Sequence, residues 1–259
     1  MDVPQEIRLR ILQFTDLVLR PNPTHEYPSD SLMFENGKEI NSQRKPCSPG
    51  CPSLKCSCYV FPAALFYTSR QLSLEAREVY LSSNRLVFLD DPNLAVERFL
   101  GKQPDDLLRK IREIEFSFGP DELDYFRDPT SKYVKAWNAF VSFAAAHLNL
   151  GNLVFSIDAG SAYEQWAIEP ISAESLSFLL PVYDEIVAPM KKLKGLKRLF
   201  VYWPVFHMRE IIAEKEVMGD DYDSSKFGKT PVAHRQPMHP RGHPTNPSIE
   251  GYMGNFGEL

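Results

Sequence analysis

No apolar run in this 259-residue chain reaches the roughly 18 residues needed to cross a bilayer. The N-terminal stretch also lacks the apolar centre of a secretory signal, because Glu6, Arg8 and Arg10 interrupt it. Membrane insertion and secretion are therefore not expected, and the protein is placed in the cytoplasm or nucleus. Cysteine is scarce: there are four, all between positions 47 and 58. In a reducing compartment they are expected as thiols or metal ligands, not as disulfides. A surplus of positive charge is missing too, and the net charge of −5 argues against a general nucleic-acid binder. Finally, the chain carries no Gly-x-Ser-x-Gly elbow, P-loop, Gly-x-Gly-x-x-Gly or His-Glu-x-x-His segment. An enzyme is not expected.

What remains is an ordinary globular composition, 43% hydrophobic and 24% charged, sufficient for a sizeable core in one or two domains. The opening segment Val3-Pro-Gln-Glu-Ile-Arg-Leu-Arg-Ile-Leu-Gln-Phe is patterned as an amphipathic helix. Asp2 is placed to cap it, and Pro4 suits its first turn. Ile7, Ile11, Phe14 and Val18 recur at helical spacing. Pro21 and Pro23 should end the helix by Arg20. Residues 21–60 hold six prolines (21, 23, 28, 46, 49 and 52) among many Ser and Asn. They are expected to form a loop-like or disordered insertion, dispensable for folding. Helical patterning resumes at Pro62, with Leu65, Phe66, Leu72, Ala76, Val79 and Tyr80 as its apolar face. Asn84 should end it, and 85–89 reads as a strand.

From there a helix, a short loop and a short apolar strand recur. The strands are expected over 111–118, 152–157 and 196–202, starting about 40 to 45 residues apart. That period exceeds the roughly 20 to 29 residues of a standard leucine-rich repeat. The expected fold class is α/β, with a helical module over 1–89 continuous with irregular, leucine-rich-like helix–strand repeats over 90–218. An ordinary mixed α/β domain with coincidental alternation is the competing reading. Phe116, Phe118, Val154, Ile157, Phe200 and Tyr202 are expected in one sheet, each strand burying one alternating set. A helix over 205–218 precedes residues 219–259, rich in Pro, Gly and His and expected to be a disordered tail.

Two stretches resemble the F-box-like proteins numerous in filamentous fungi. One is Val3-Pro-Gln-Glu-Ile-Arg-Leu-Arg-Ile-Leu. The other runs from Leu65-Phe-Tyr-Thr-Ser-Arg-Gln-Leu through Glu75-Ala76 to Asn84-Arg-Leu-Val-Phe. The resemblance implies a substrate receptor of a Skp–cullin–F-box ubiquitin ligase. It implies that Pro4, Ile7, Ile11 and Leu12 face a Skp-type adaptor and that the later repeats hold a protein client. In this chain residues 21–60 separate helices that are close in sequence in a standard F-box, and Ser69 stands where the family commonly has Cys. Read from its own residues, the first helix would equally pack its stripe on the domain's core. That gives a stand-alone structural or interaction protein that binds no adaptor. The two readings differ in whether Ile7 and Ile11 are exposed in the free monomer.

Other clusters favour bland roles. Cys47, Cys51, Cys56 and Cys58 match the ligand count of a structural zinc site, but Cys-x-Cys strains the bite and Cys-x2-Cys pairs are absent. A redox-inert polar loop is the preferred reading, with no cofactor. His234, His239 and His243 lie in the tail and read as solvated. His147 and His207 read as core or rim residues. The run Lys191-Lys-Leu-Lys-Gly-Leu-Lys-Arg reads as a solvated helix-to-strand junction that neutralises a helix end, with a phosphate-binding surface as the alternative. The pairs Asp90-Asp91 and Asp105-Asp106 read as helix caps.

Overall fold

The computed structural model describes residues 3–15, 17–18, 31–35, 38–39, 63–67, 69–89, 91–159, 173–202 and 207–222. In chain order these form α1 (Gln5–Gln13), β1 (Ser31–Glu35), β2 (Lys38–Glu39), α2 (Ala63–Phe66), α3 (Arg70–Ser83) and β3 (Arg85–Phe88). There follow α4 (Pro92–Leu94), α5 (Asp105–Leu108), β4 (Glu113–Ser117), α6 (Pro120–Tyr125), α7 (Lys132–His147) and β5 (Val154–Asp158). The described chain closes with α8 (Ala173–Met190), β6 (Arg198–Tyr202) and α9 (His207–Met218). No helix among the described residues is long and apolar enough to cross a membrane.

Local chemistry sets the helix ends. Ser69 starts α3 by accepting a bond from Leu72 N at 3.2 Å, and Ser131 starts α7 by accepting from Val134 N at 3.1 Å. Asp91 caps α4 through Asn93 N at 2.8 Å, as its position at a helix start implied. Asp105 and Asp106 lie in the first turn of α5, where negative charge suits the helix dipole. Asn84 ends α3 in an extended conformation, as its position suggested. Gly195, at φ +81, makes the turn from α8 to β6.

The strands form one sheet in the order β2-β1-β3-β4-β5-β6. All neighbours from β1 to β6 pair in parallel, and β2 adds to β1 antiparallel. The parallel strands follow chain order across the sheet. With right-handed crossovers, a steady march of this kind puts every connecting helix on the same face. The register agrees. One row aligns Leu32, Leu86, Ile114, Phe155 and Leu199, and a second aligns Phe34, Phe88, Phe116, Ile157 and Val201. All ten are buried and share one apolar core with Trp137, Phe140 and Val141 of α7 and Ile186 and Met190 of α8. Trp137 Nε1 donates to Ile186 O at 2.8 Å, fixing α7 to α8.

The intervening rows face away from that core and carry charge. Arg85 reaches Glu115, and lies 3.5 Å from Glu113 on the same strand. Met33 and Val87 are buried on this side, outside the main core. At the β6 edge, Glu214 of α9 accepts from Val201 N at 3.3 Å.

One expectation changes. Residues 21–60, expected to be a dispensable loop, contribute β1 and β2. Ser31 to Phe34 are all buried, Leu32 and Phe34 in the main core and Ser31 and Met33 on the opposite face of β1. Of the β6 residues expected in the sheet, Phe200 falls on the charged face, half-buried, with Arg198 5.4 Å above its ring. The helix α6 had no counterpart in the sequence reading. By contrast, 116, 154, 157, 200 and 202 do lie in one sheet, and Phe118 N extends the ladder by donating to Asp158 O at 2.8 Å. The division at 89/90 falls between β3 and β4 of that sheet. Beyond Tyr222, the expected tail lies outside the described residues.

Candidate functional site

The helix α1 has two apolar faces. At about 100° per residue, Leu12 lies about 140° around the axis from Ile7. Leu9, Leu12 and the following Leu17 face inward and join the core, Leu12 being 3% exposed. Val3, Ile7, Ile11 and Phe14 face outward, with exposures of 42%, 48%, 56% and 78%. The helix follows Pro4, whose φ of −54° and ψ of 147° make it the N-cap, with no side-chain cap bond. Asp2, the expected cap, lies outside the described residues.

Two polar links hold α1 in place. Arg8 Nε donates to both Glu75 carboxylate oxygens at 3.2 and 2.9 Å, and its Nη2 donates to Oε1 at 2.6 Å. Arg8 also donates to Val3 O. Gln71 Nε2 adds a bond to Glu75 at 3.3 Å. The Arg8 hydrogen bonds hold the Glu75 carboxyl below its ordinary range, against the opposing effect of burial; the Arg8 charge and Gln71 act in the same direction. The second link is buried: Asn84 Nδ2 donates to Leu17 O at 2.7 Å and Tyr80 O at 2.8 Å. Both links join residues 67 apart in sequence, so the α1 and α3 segments run side by side in the same direction.

Of the residues expected to face an adaptor, Pro4, Ile7 and Ile11 are exposed. Leu12 is not: it anchors the helix to the core and cannot serve both sides. Phe14, which shares the Ile7–Ile11 stripe, and Val3 extend this outward face beyond the residues that the resemblance implies. Arg8, set off the apolar stripe, is the residue that orients it. Tyr67 and Leu74 add exposed apolar surface at the start of the α3 segment.

No family model, curated protein or solved structure matches this chain.

The remaining candidates are distributed. Cys47, Cys51, Cys56 and Cys58, and the tail histidines, lie outside the described residues. Among the described residues no group of three or more His, Cys, Asp or Glu side chains is placed to hold a metal ion. His147 Nδ1 lies 3.1 Å from Asp105, and its ring stacks on Phe143 at 4.6 Å, which makes it a rim residue. A cleft of about 370 Å³ opens between α8 and α9, lined by Tyr183, Val187 and Ile212, with Lys191 paired to Glu216 at 3.0 Å.

Proposed function

We propose that this protein is a non-enzymatic protein-binding module whose α1 outer face docks on a partner. The favoured partner is a Skp-type adaptor, which would make the chain a substrate receptor of a Skp–cullin–F-box ubiquitin ligase. The observation that carries this is the exposure of Ile7 and Ile11 while Leu9 and Leu12 already hold the helix to the core. A surface helix that packs only on its own domain needs one apolar stripe. A second stripe at i and i+4 suits recognition of a helix by a groove. Fully burying each such side chain is worth about 1.5–3 kcal/mol. The resemblance of Val3 to Leu12, and of the segment from Leu65 to Phe88, to F-box-like proteins supports the choice of adaptor. The parallel strands in chain order support irregular leucine-rich-like repeats as the client-binding part.

The test is retention of a Skp-type adaptor by the full chain from extract of its own cells. Ile7→Asp with Ile11→Asp should abolish retention while circular dichroism stays unchanged. If the wild-type chain retains no adaptor, the ligase reading falls.

One observation favours a second reading. α1 precedes β1 as α3 precedes β3, and α1 and α3 run in the same direction. On that view α1 is the first helix of the array instead of a separate module, and the chain is a stand-alone interaction protein. Adaptor retention decides between the two.

A further inference from the structure

Because the paired strands from β1 to β6 share a direction, the helix-to-strand turns gather at one rim of the sheet. Positive charge collects there. The turn before β4 carries Arg109, Lys110 and Arg112, and the turn before β6 carries Lys191, Lys192, Lys194 and Lys197. Between them the turn before β5, Asn149-Leu-Gly-Asn152, has no charge. Backbone bonds lock the three together: Val154 N donates to Arg112 O at 2.8 Å, and Lys197 N donates to Leu150 O at 2.9 Å. Arg112 and Lys197 thus bracket the neutral turn. Two strand spacings put their backbones about 10 Å apart. Above the turn the ground is open, since a Cβ on Gly151 would meet just Asn149 Oδ1, at 3.7 Å.

Some of these cations are already engaged. Lys110 pairs with Glu78 at 3.1 Å, Lys191 with Glu216 at 3.0 Å, and Lys192 donates to Ser142 at 3.3 Å. Arg112, Lys194 and Lys197 are exposed and form no ion pair among the described residues. The other acids near this rim are engaged as well, Asp105 with His147 and Glu113 with Arg85. Helix-end neutralisation accounts poorly for Lys194 and Lys197. That effect is confined to the last turn, and the last turn of α8 holds no basic residue.

We infer that the saddle formed by Arg112, the Asn149–Asn152 turn, Lys194 and Lys197 is a docking site for a short acidic segment of a protein partner. Charge complementarity names the chemistry, and the asparagine amides supply donors and acceptors for a peptide backbone. A long nucleic acid fits less well, because the chain is net negative and the exposed aromatic residues among those described, Phe14, Tyr67 and Tyr125, lie on other elements. The inference does not depend on what α1 binds.

Fluorescence anisotropy with the full chain and a labelled peptide of alternating Glu and Ser tests it. Saturable binding is expected, weakened by added salt and by about tenfold in Arg112→Glu with Lys197→Glu. Lys132→Glu with Lys135→Glu, the same charge change at the other end of α7, should leave binding within about twofold. Lys194→Gln, a milder change at an exposed site, should weaken binding even if the double reversal fails to fold. Ile7→Asp with Ile11→Asp should bind the peptide as wild type does, so failure of the adaptor reading and failure of this one are read separately. The inference is overturned by absent saturable binding or by equal losses in the two charge-reversed variants. It is also overturned if the rim variants lose melting temperature but not affinity, or if a single-stranded oligonucleotide of equal length binds more tightly than the peptide.

Discussion

Phe34 stacks on Phe88 with ring centroids 5.0 Å apart, and Phe88 stacks on Phe116 at 5.2 Å, both at 26° between planes. The three rings share one register across β1, β3 and β4. Through them a strand from a proline-bearing polar stretch becomes part of the same core as the later helix–strand units.

Phe34→Ala should therefore lower the unfolding free energy by about 3–5 kcal/mol, the range for emptying a buried aromatic site. Urea denaturation followed by circular dichroism checks this. Deleting 31–35 should remove cooperative unfolding altogether. Phe200→Ala, half-buried on the charged face, should cost clearly less than Phe34→Ala; equal costs would contradict the assignment of faces.

Ile11 and Leu12 are sequence neighbours with opposite roles. Ile11→Ala should change stability by no more than about 0.5 kcal/mol, as surface substitutions do. Leu12→Ala should cost about 2–5 kcal/mol. Matching values would mean that α1 is not oriented as described.

The Arg8–Glu75 link gives a signed pH dependence. The folded-state pKa of Glu75 lies below its ordinary value of 4.5. Its stabilising contribution is then fully present above the unfolded value and disappears as pH falls through the folded one. The stability gap between wild type and Glu75→Gln should be constant near neutrality and should shrink at acid pH, below the ordinary carboxylate value. A gap that widens on acidification would invert the sign and refute the link.

Trp137→Phe keeps the aromatic packing but leaves the buried Ile186 carbonyl without its indole donor. The expected cost is about 1–3 kcal/mol. A neutral result in thermal unfolding would show that another donor replaces it.

How legible all this was depended on periodicity. The helix α7 and strands β4, β5 and β6 showed themselves because Trp137, Phe140 and Val141 recur at helical spacing while Ile114 and Phe116, or Phe155 and Ile157, alternate. β1 did not, because Ser-Leu-Met-Phe is buried on both faces and shows no alternation to detect. Short α6 was hidden for want of a periodic stretch. On α1 the stripe of Ile7, Ile11 and Phe14 was visible, but spacing alone could not say whether it faced in or out. Leu9, Leu12 and Arg8 lie on the same helix as that stripe, but what fixes their roles, Glu75 and the core that Leu12 enters, lies in parts of the chain that only folding brings to them.

The bond from Val201 N to Glu214 has a consequence for self-association. A terminal strand with bare amides invites a strand from another molecule, the first step toward swapped dimers and fibrils. A carboxylate from α9 occupies one of those amides, and among the described residues β2 spans two positions at the opposite end, so each described end offers a short template for backbone pairing. The chain's own α9 thus guards the β6 edge against an added strand.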